Sequence, residues 1–305
     1  MPRQSGAPSW MLPPTPMPSR PLIGFVYRPR VPGVTDFIDS LVKSLKLGGN
    51  CWIADSSKLD IGPDTMAGTS TIITAGGDGT ILRVVRLAAP YSVPILGINL
   101  GRVGFMAELT VEQASSEILG YLHGNSRVEE RMMLQASVTS PGAAEPRLVV
   151  HALNDVVVTR GAEVRLLDLE TRIDGVLLIT YRADGVIVAT PTGSTGYALS
   201  AGGPVLYPEA LEMLIQPVAA HMSFQTGIII PADSLVELRV DGAQEAVLTA
   251  DGFADTSLEP GDRVVVERSP HVARFLRRAP PSGFYATLTE GLGVSGRQVP
   301  RAPSM

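Results

Sequence analysis

The segment Gly76-Gly77-Asp78-Gly79-Thr80 directly follows a β-branched run and places one carboxylate among three glycines. Glycine adopts positive φ readily and lets the backbone approach a ligand closely. A strand, a tight turn and a helix in succession point free N–H groups and the positive end of a helix dipole at one place, which suits phosphate oxygens. We therefore predict that Gly76, Gly77, Gly79 and Thr80 bind phosphate. Asp78 either takes a proton from an attacking hydroxyl or only fills the turn.

A second block, YRADGVIVATPTGSTGYALSAGGP at residues 181–204, crowds hydroxyl side chains and glycines after a short apolar run. Small hydroxyl residues can hydrogen-bond a nucleotide while the glycines let it approach the backbone. Tyr197 can stack on a base or bond through its hydroxyl. The alternative interpretation is a serine–glycine loop made only of structural turns.

Two further polar breaks interrupt apolar surroundings. Gly101 and Gly104 flank Arg102 directly after a predicted strand, where a loop lining a crevice is expected. Asn154 and Asp155 lie inside the apolar segment ALNDVVVTRG. Burying such groups unpaired costs about 1–3 kcal/mol or more for each group. Their partners are either backbone groups or the hydroxyls of a bound sugar.

The elements that must position these residues change in type along the chain. From Pro21, buried strand-like runs alternate with helical periodicity, which predicts a parallel sheet covered on both faces and ligands beyond the carboxyl ends of its strands. From about Arg127 to Glu267 the pattern is mostly β-type. Asp-Gly pairs at 174–175, 184–185 and 241–242 predict antiparallel hairpins there.

We therefore predict an N-terminal Rossmann-like α/β domain followed by a larger C-terminal antiparallel β domain that resembles a sandwich. The predicted boundaries are a disordered proline-rich leader at 1–20, the α/β domain with the GGDGT loop at 21–110, the β-rich domain at 111–270, a segment at 271–290 that packs back on the α/β domain, and a disordered tail at 291–305.

Composition excludes several classes of function. The net charge of −5 and a sequence pI near 5.5 argue against a general binder of nucleic acid or anionic membranes, although a local basic pocket for a phosphorylated small molecule stays open. The single cysteine, Cys51, excludes an intramolecular disulfide, and no Cys/His cluster or carboxylate cluster predicts a metal cage. No stretch approaches the roughly 20 apolar residues of a membrane span, so we expect a cytoplasmic protein.

GGDGT at 76–80, NLGRVGF at 99–105, LNDVVV at 153–158 and ADGVIVATPTGSTGYALSAGGP at 183–204 together resemble the NAD kinase family, collinearly from about residue 22 to 290. GGDGT alone is shared with diacylglycerol-type lipid kinases and phosphofructokinases, whereas the other three blocks are specific. The resemblance implies transfer of the γ-phosphoryl group of ATP to the 2′-hydroxyl of the adenosine ribose of NAD, which gives NADP. It also implies a divalent metal ion, Mg²⁺, bound with ATP, and a homodimer or homotetramer formed largely through the β domain.

The resemblance implies roles for individual residues. Asp78 matches the family's proton acceptor, and the β-rich domain matches its NAD-binding domain. The positions that match NAD-binding residues are Asp78, Gly79, Arg83, Asn154, Asp155, Arg165, Arg182, Asp184, Thr195, Gly196, Tyr197, Ala198, Leu199 and Ser200.

The chain departs from the family pattern in four places. Gly196 stands where alanine is frequent, Ala198 where serine is frequent, and Met222 where a small hydroxyl residue follows the histidine. Phe253 stands where a polar residue is usual. These departures affect the predicted affinity for the nucleotide and not the chemical step.

Two other functions are compatible with parts of the pattern. The first is a kinase for lipids or other small molecules built on the same GGDGT loop. This interpretation predicts an apolar acceptor cleft and does not explain the TPTGSTGY segment. A non-catalytic dinucleotide sensor predicts the loss of Asp78 or of the Asn154–Asp155 pair, and all three residues are present.

Overall fold

The computed structural model describes residues 22–101, 104–161, 165–221, 224–242 and 244–291. The predicted leader at 1–20 lies outside the described residues, as do Arg102, Met222 and the part of the predicted tail from 292 onward. Within these ranges, no helix is both long enough and apolar enough to cross a membrane.

The first part of the chain alternates strands and helices. Its elements are β1 (Leu22–Tyr27), α1 (Val34–Ser44), β2 (Cys51–Asp55), α2 (Pro63–Gly68), β3 (Thr69–Gly76), α3 (Asp78–Ala88), β4 (Ile95–Asn99), β5 (Leu109–Thr110) and α4 (Val111–Leu122). The strands pair in parallel in the order β2-β1-β3-β4, with β5 beside β4. The carboxyl ends of β1, β2 and β3 therefore meet at one edge of the sheet.

Local sequence explains the helix boundaries. Thr110 and Gln113 form a capping box at the start of α4, because each side chain accepts a hydrogen bond from the other's backbone N–H. α3 begins differently: Gly77 precedes it in an extended conformation and no side chain caps its first N–H groups. Among the described residues, no side chain therefore competes with a ligand for these groups, although the Thr80 N–H donates to the Gly77 carbonyl at 2.9 Å.

The second part of the chain is mainly antiparallel. Its elements are β6 (Arg127–Thr139), β7 (Leu148–Ala152), β8 (Asp155–Arg160), β9 (Leu167–Ile173), β10 (Val176–Ala183), β11 (Gly185–Ala189), α5 (Tyr197–Ser200), β12 (Glu212–Val218), β13 (Ile228–Pro231), β14 (Val236–Asp241), β15 (Ala246–Ala250), β16 (Phe253–Leu258), β17 (Arg263–Arg277) and α6 (Gly283–Gly291). Short 3₁₀ helices lie at Ala89–Tyr91 and Gly193–Thr195.

Two sheets enclose the main core of this part. One has the order β13-β12-β11-β8-β15-β16, and the other contains β10-β9-β14-β17 with β6 and β7. Side chains from both sheets, among them Val158, Val186, Leu238 and Val264, are fully buried in one apolar cluster. The predicted combination of a parallel α/β part with an antiparallel, sandwich-like β part is thus confirmed.

Strand β17 joins the two parts of the molecule. It pairs antiparallel with β6 and β14, and near its end Phe275 pairs in parallel with Ile95 of β4. The parallel and antiparallel strands therefore form one continuous sheet, which has eleven strands in the described part of the chain. The Phe275 ring is fully buried in the core that surrounds α3.

The Asp-Gly pairs behave differently from one another. Asp174 and Gly175, with φ of 50° and 79°, turn β9 into β10 as the predicted hairpin. The hairpin prediction is wrong for the other two pairs, because Asp184–Gly185 carries the chain from β10 into the opposite sheet at β11, and Asp241–Gly242 does the same between β14 and β15. An Asp-Gly pair therefore marks a change of direction, and the strand that follows can belong to either sheet.

We predict that Phe275→Ala lowers the free energy of unfolding by about 3–5 kcal/mol, because it leaves a cavity where the two parts of the sheet meet. Urea denaturation followed by circular dichroism measures the change. Val128→Ala on the neighbouring strand is the control, since Val128 is half exposed and its loss has a small effect. An unchanged midpoint for Phe275→Ala would contradict the role of this residue as the joint.

Candidate functional site

Asp78 lies at the carboxyl edge of the parallel sheet, where the turn between β3 and α3 contacts the loop after β4. It is the first residue of α3, and its two carboxylate oxygens accept hydrogen bonds from the N–H groups of Phe105 at 2.9 Å and Met106 at 3.2 Å, in the loop after β4. A side chain at Gly104 would collide with this carboxylate. The carboxylate is therefore held in one orientation, and each oxygen keeps a lone pair for another donor.

A basic cleft of about 430 Å³ opens beside Asp78. The residues that line it follow β1, β2 and β3 or come from α3 and β16: Arg28, Pro29, Arg30, Ser56, Ser57, Gly77, Gly79, Thr80, Arg83 and Phe253. The Arg83 guanidinium lies 4.4 Å from the centre of the Phe253 ring. The predicted phosphate residues Gly77, Gly79 and Thr80 thus meet three arginines, whereas Gly76 is buried beneath the Thr80 side chain.

A second cleft, of about 330 Å³, contains the predicted sugar-binding pair. We call it the acidic cleft; it is lined by Asn154, Asp155, Val157, Tyr197, Thr249, Asp251 and Gly252. Gly252 lines the acidic cleft and the next residue, Phe253, lines the basic cleft, so the two clefts are adjacent. The structure thereby brings Asn154, Asp155 and Tyr197 together next to the residues that the sequence predicts to bind phosphate.

Asp251 is a functional candidate that the sequence reasoning missed. It is buried in the turn between β15 and β16, with φ of 54°, and its carboxylate accepts backbone N–H groups from Leu153 at 2.9 Å, Asn154 at 2.6 Å and Asp155 at 3.3 Å. The only signal in the sequence is the Asp-Gly pair in TADGFAD, which looks like any turn. Asp251 fixes the backbone of the pair that lines the acidic cleft.

Two polar groups in the acidic cleft are strongly influenced by burial. Burial raises the pKa of Asp155 to about 7, and the neighbouring Asp251 carboxylate contributes in the same direction. Burial also raises the pKa of Asp251, against the three N–H groups that lower it.

The Asn154 Oδ1 atom is buried and has no hydrogen-bond partner in the described part of the chain. A buried acceptor of this kind takes a hydrogen bond from ordered water or from a ligand.

The hydroxyl-rich loop holds the backbone at Asn154 in place through hydrogen bonds from Thr190. Thr190 Oγ1 donates to the Leu153 carbonyl at 2.6 Å, and the Thr190 N–H donates to the Asn154 carbonyl at 2.8 Å. Ser194 and Thr195 donate their hydroxyls to carbonyls of the same loop, at 2.6 and 3.1 Å. These two hydroxyls therefore stabilise turns within the loop.

The other loop residues predicted to bind NAD divide by exposure. Gly196 and Leu199 are partly buried, Ala198 is fully buried, and Tyr197 and Ser200 are exposed at α5. Tyr197 is the one of these that lines the acidic cleft.

Three predicted residues lie away from both clefts. Strands β8 and β11 pair antiparallel, with Asp155 opposite Ala189 at one end and Thr159 opposite Gly185 at the other. At about 3.3 Å per residue, Asp184 lies roughly 13 Å or more from Asp155. Asp184 there forms an ion pair with Arg160 at 2.8 Å. Arg182 and Arg165 are exposed on this side of the molecule. The chain does not bring Arg165, Arg182 or Asp184 together with Asn154.

A buried ion network lies behind Asp78. Glu129 accepts hydrogen bonds from Arg131 at 2.8 Å and Arg277 at 3.2 Å, and Arg277 also donates to the Met106 carbonyl at 2.9 Å and to Glu108 at 3.2 Å. Burial alone would raise the pKa of Glu129, but the two guanidiniums outweigh it and hold that pKa at about 2. The network anchors Met106, whose N–H binds Asp78.

Comparison with known proteins gives consistent matches. The family model of the ATP-NAD kinase N-terminal domain matches residues 52–126, and that of the ATP-NAD kinase C-terminal domain matches residues 153–278. A protein named NAD kinase from Dehalococcoides mccartyi (strain CBDB1) is 38% identical over 278 residues, which are 91% of this chain and 98% of that protein. One from Symbiobacterium thermophilum is 43% identical over 222 residues, 72% of this chain and 77% of that protein.

Solved structures have the same fold. The crystal structure of yeast NADH kinase complexed with NADH superposes with a TM-score of 0.80 at 23% identity, covering 91% of this chain and 89% of that one. An NAD kinase from Archaeoglobus fulgidus in complex with ATP superposes with a TM-score of 0.70 at 26% identity, covering 88% of this chain and 99% of that one.

The raised pKa of Asp155 predicts that the stability of the folded protein depends on pH. Its pKa rises from 3.8 to about 7 on folding, so the folded state holds the proton more tightly. The resulting stabilisation is complete below the unfolded-state value and is lost as the pH rises through about 7, by at most about 1.4 kcal/mol per pH unit. We expect Asp155→Asn to remove this loss, as measured by urea denaturation between about pH 5 and pH 8.

Asp39→Asn on the exposed face of α1 is the matched control, since it removes a carboxylate that lines neither cleft. Its stability should follow that of the unmodified protein across the pH range. If the curve for Asp155→Asn also runs parallel to that of the unmodified protein, Asp155 is not protonated in the folded state as described.

Proposed function

The chain belongs to the NAD kinase family, and from that premise we propose that Asp78 is the general base of its reaction, the ATP-dependent phosphorylation of NAD. The observation that carries the proposal is the adjacency of the two clefts through residues 252 and 253, with Asp78 at the start of α3 beside the basic one. Phosphoryl transfer needs an acceptor hydroxyl and a donor phosphate side by side, and little covalent help from the protein.

The acidic cleft suits the adenosine ribose of NAD. Asn154 offers a buried amide oxygen without a partner, and Asp155 offers a carboxyl group, so together they can bind two sugar hydroxyls. Tyr197 is 44% exposed at the rim of this cleft, where its ring can stack on a base. The polar lining fits a sugar better than the apolar acceptor of a lipid kinase.

The basic cleft suits the phosphates of the donor. Gly77, Gly79 and Thr80 lie at the uncapped start of α3, where backbone N–H groups and the helix dipole favour anions. The predicted NAD contacts of Gly79 and Arg83 belong to the same surface.

The cleft also fits the expected role of Mg²⁺. Among the described residues no three or more histidine, cysteine, aspartate or glutamate side chains group as metal ligands. The oxygen donors in the basic cleft are the hydroxyls of Ser56, Ser57 and Thr80, which fits an ion carried mainly by phosphate oxygens and water. When bound, the ion neutralises charge on those phosphate oxygens.

The proposed step is a single displacement. Asp78 accepts the proton of the ribose 2′-hydroxyl, the oxygen forms a bond to the γ-phosphorus of ATP, and the bond from that phosphorus to the bridging oxygen breaks, which releases ADP and NADP. The N–H groups of Phe105 and Met106 keep the carboxylate aimed during this step. Base catalysis of this kind is typically worth about 10²–10⁴-fold.

We also propose that the active form is a homodimer or homotetramer built through the β domain. Val176, Leu177 and Leu178 on the edge strand β10 are 70%, 50% and 40% exposed, which is unusual for a contiguous apolar run. If Arg165, Arg182 and Asp184 contact nucleotide as the resemblance implies, they do so from a second copy. A cytoplasmic location stays a prediction from the sequence.

Asp78→Asn tests the general base. We expect kcat to fall by about 10²–10⁴-fold while NAD still binds, because asparagine takes no proton and its NH2 group cannot accept one of the two backbone N–H bonds that orient the carboxylate. Turnover is measured with ATP, Mg²⁺ and NAD, with NADP detected by an NADP-specific dehydrogenase, and NAD binding by calorimetry. The exposed Asp39→Asn should retain full activity. A kcat close to that of the unmodified enzyme in Asp78→Asn would refute the assignment.

Asn154→Ala tests acceptor positioning. Loss of the amide oxygen should reduce kcat/KM for NAD by about tenfold, the worth of one or two hydrogen bonds, and should leave KM for ATP nearly unchanged. Asn125→Ala, an exposed position after α4, is the control. The proposed role fails if the two variants have the same steady-state constants.

A further inference from the structure

The basic cleft contains two arginines for which the described part of the chain offers no ion-pair partner. Arg28 and Arg30 follow β1, line the cleft and are exposed, and in the described part of the chain their guanidiniums form no hydrogen bond or ion pair. Arg131 and Arg277, by contrast, are both held by carboxylates. No carboxylate lines the basic cleft among the described residues. In a chain with a net charge of −5, this cleft is a local concentration of positive charge.

The loops that carry these arginines are fixed relative to the GGDGT segment. The Arg28 N–H donates to the Ala75 carbonyl at 3.0 Å, one residue before Gly76. The Ser56 N–H donates to the Tyr27 carbonyl at 2.9 Å, so the loop after β2 is tied to the end of β1. Arg28 and Arg30 therefore project from the same rigid edge as the start of α3.

We propose that Arg28 and Arg30 bind the phosphate chain of the phosphoryl donor, opposite the N–H groups of Gly77 and Gly79, and that this clamp recognises phosphates and not a base. The proposal rests on the proposed function and adds these two arginines to the donor site. A guanidinium matches two phosphate oxygens at once, and three guanidiniums with a helix N-terminus complement the charge of a triphosphate. The one aromatic residue in the lining, Phe253, already has Arg83 against its ring.

The test compares Arg28→Gln, Arg30→Gln and the double variant with Lys58→Gln. Lys58 is an exposed cation two residues after Ser56 that does not line the cleft, so Lys58→Gln removes the same charge nearby. Steady-state constants are measured for ATP with NAD saturating and for NAD with ATP saturating. Binding of inorganic tripolyphosphate, ATP and NAD to each full-length protein is measured by calorimetry.

Each arginine substitution should raise KM for ATP about tenfold, and the double variant about a hundredfold, from the loss of charge-assisted hydrogen bonds. The affinity for tripolyphosphate should fall in parallel with that for ATP, whereas KM and affinity for NAD should stay within about twofold. Arg28→Lys and Arg30→Lys should recover part of the loss, which separates a role in binding from a folding defect.

Three results would overturn the clamp. The first is a KM for ATP in both glutamine variants equal to that in Lys58→Gln. The second is a matched loss of NAD affinity, which would indicate general damage to the site. The third is ATP binding that weakens while tripolyphosphate binding does not, which would indicate recognition of the nucleoside. If the unmodified protein makes no NADP at all, the proposed function fails; if it makes NADP and the variants match it, only the clamp fails.

Discussion

Glu129 lies between the guanidiniums of Arg131 and Arg277, and both parts of the molecule meet at this buried cluster of charges. Arg277 comes from the long strand β17 and reaches the Met106 carbonyl, while the Met106 N–H holds the Asp78 carboxylate. Removing one member of such a cluster leaves an uncompensated buried charge, at a cost of about 3–5 kcal/mol. The orientation of the proposed base thus depends on charged side chains that line neither the basic nor the acidic cleft.

The backbone of residues 153–155, beside the acidic cleft, is held by hydrogen bonds from two sides. Asp251 binds the N–H groups of residues 153–155, and Thr190 binds the carbonyls of Leu153 and Asn154. A side chain at Gly193 would collide with the Asn154 carbonyl, so the loop can come this close to Asn154 only because residue 193 is glycine. With its main chain fixed, Asn154 can keep an unpaired amide oxygen buried, a cost that a bound sugar hydroxyl would remove.

Features that depend on neighbouring residues could be predicted from the sequence. Apolar runs and helical periodicity gave the parallel strands, and the glycines of GGDGT correctly marked the start of α3 at the sheet edge. The role of Asp251 could not be predicted, because its partners lie 96–98 residues away and only tertiary packing brings them together. For the same reason, Glu129 and Arg277 are 148 positions apart and look in the sequence like ordinary surface charges.

The continuity of β17 has a mechanical consequence. Many kinases shut out water by rotating one lobe against another about a flexible connection. Here such a rotation would break the pairing of Phe275 in β17 with Ile95 in β4 and would open the packing around Phe275. The continuous sheet and the Phe275 packing therefore oppose a lobe rotation of this kind.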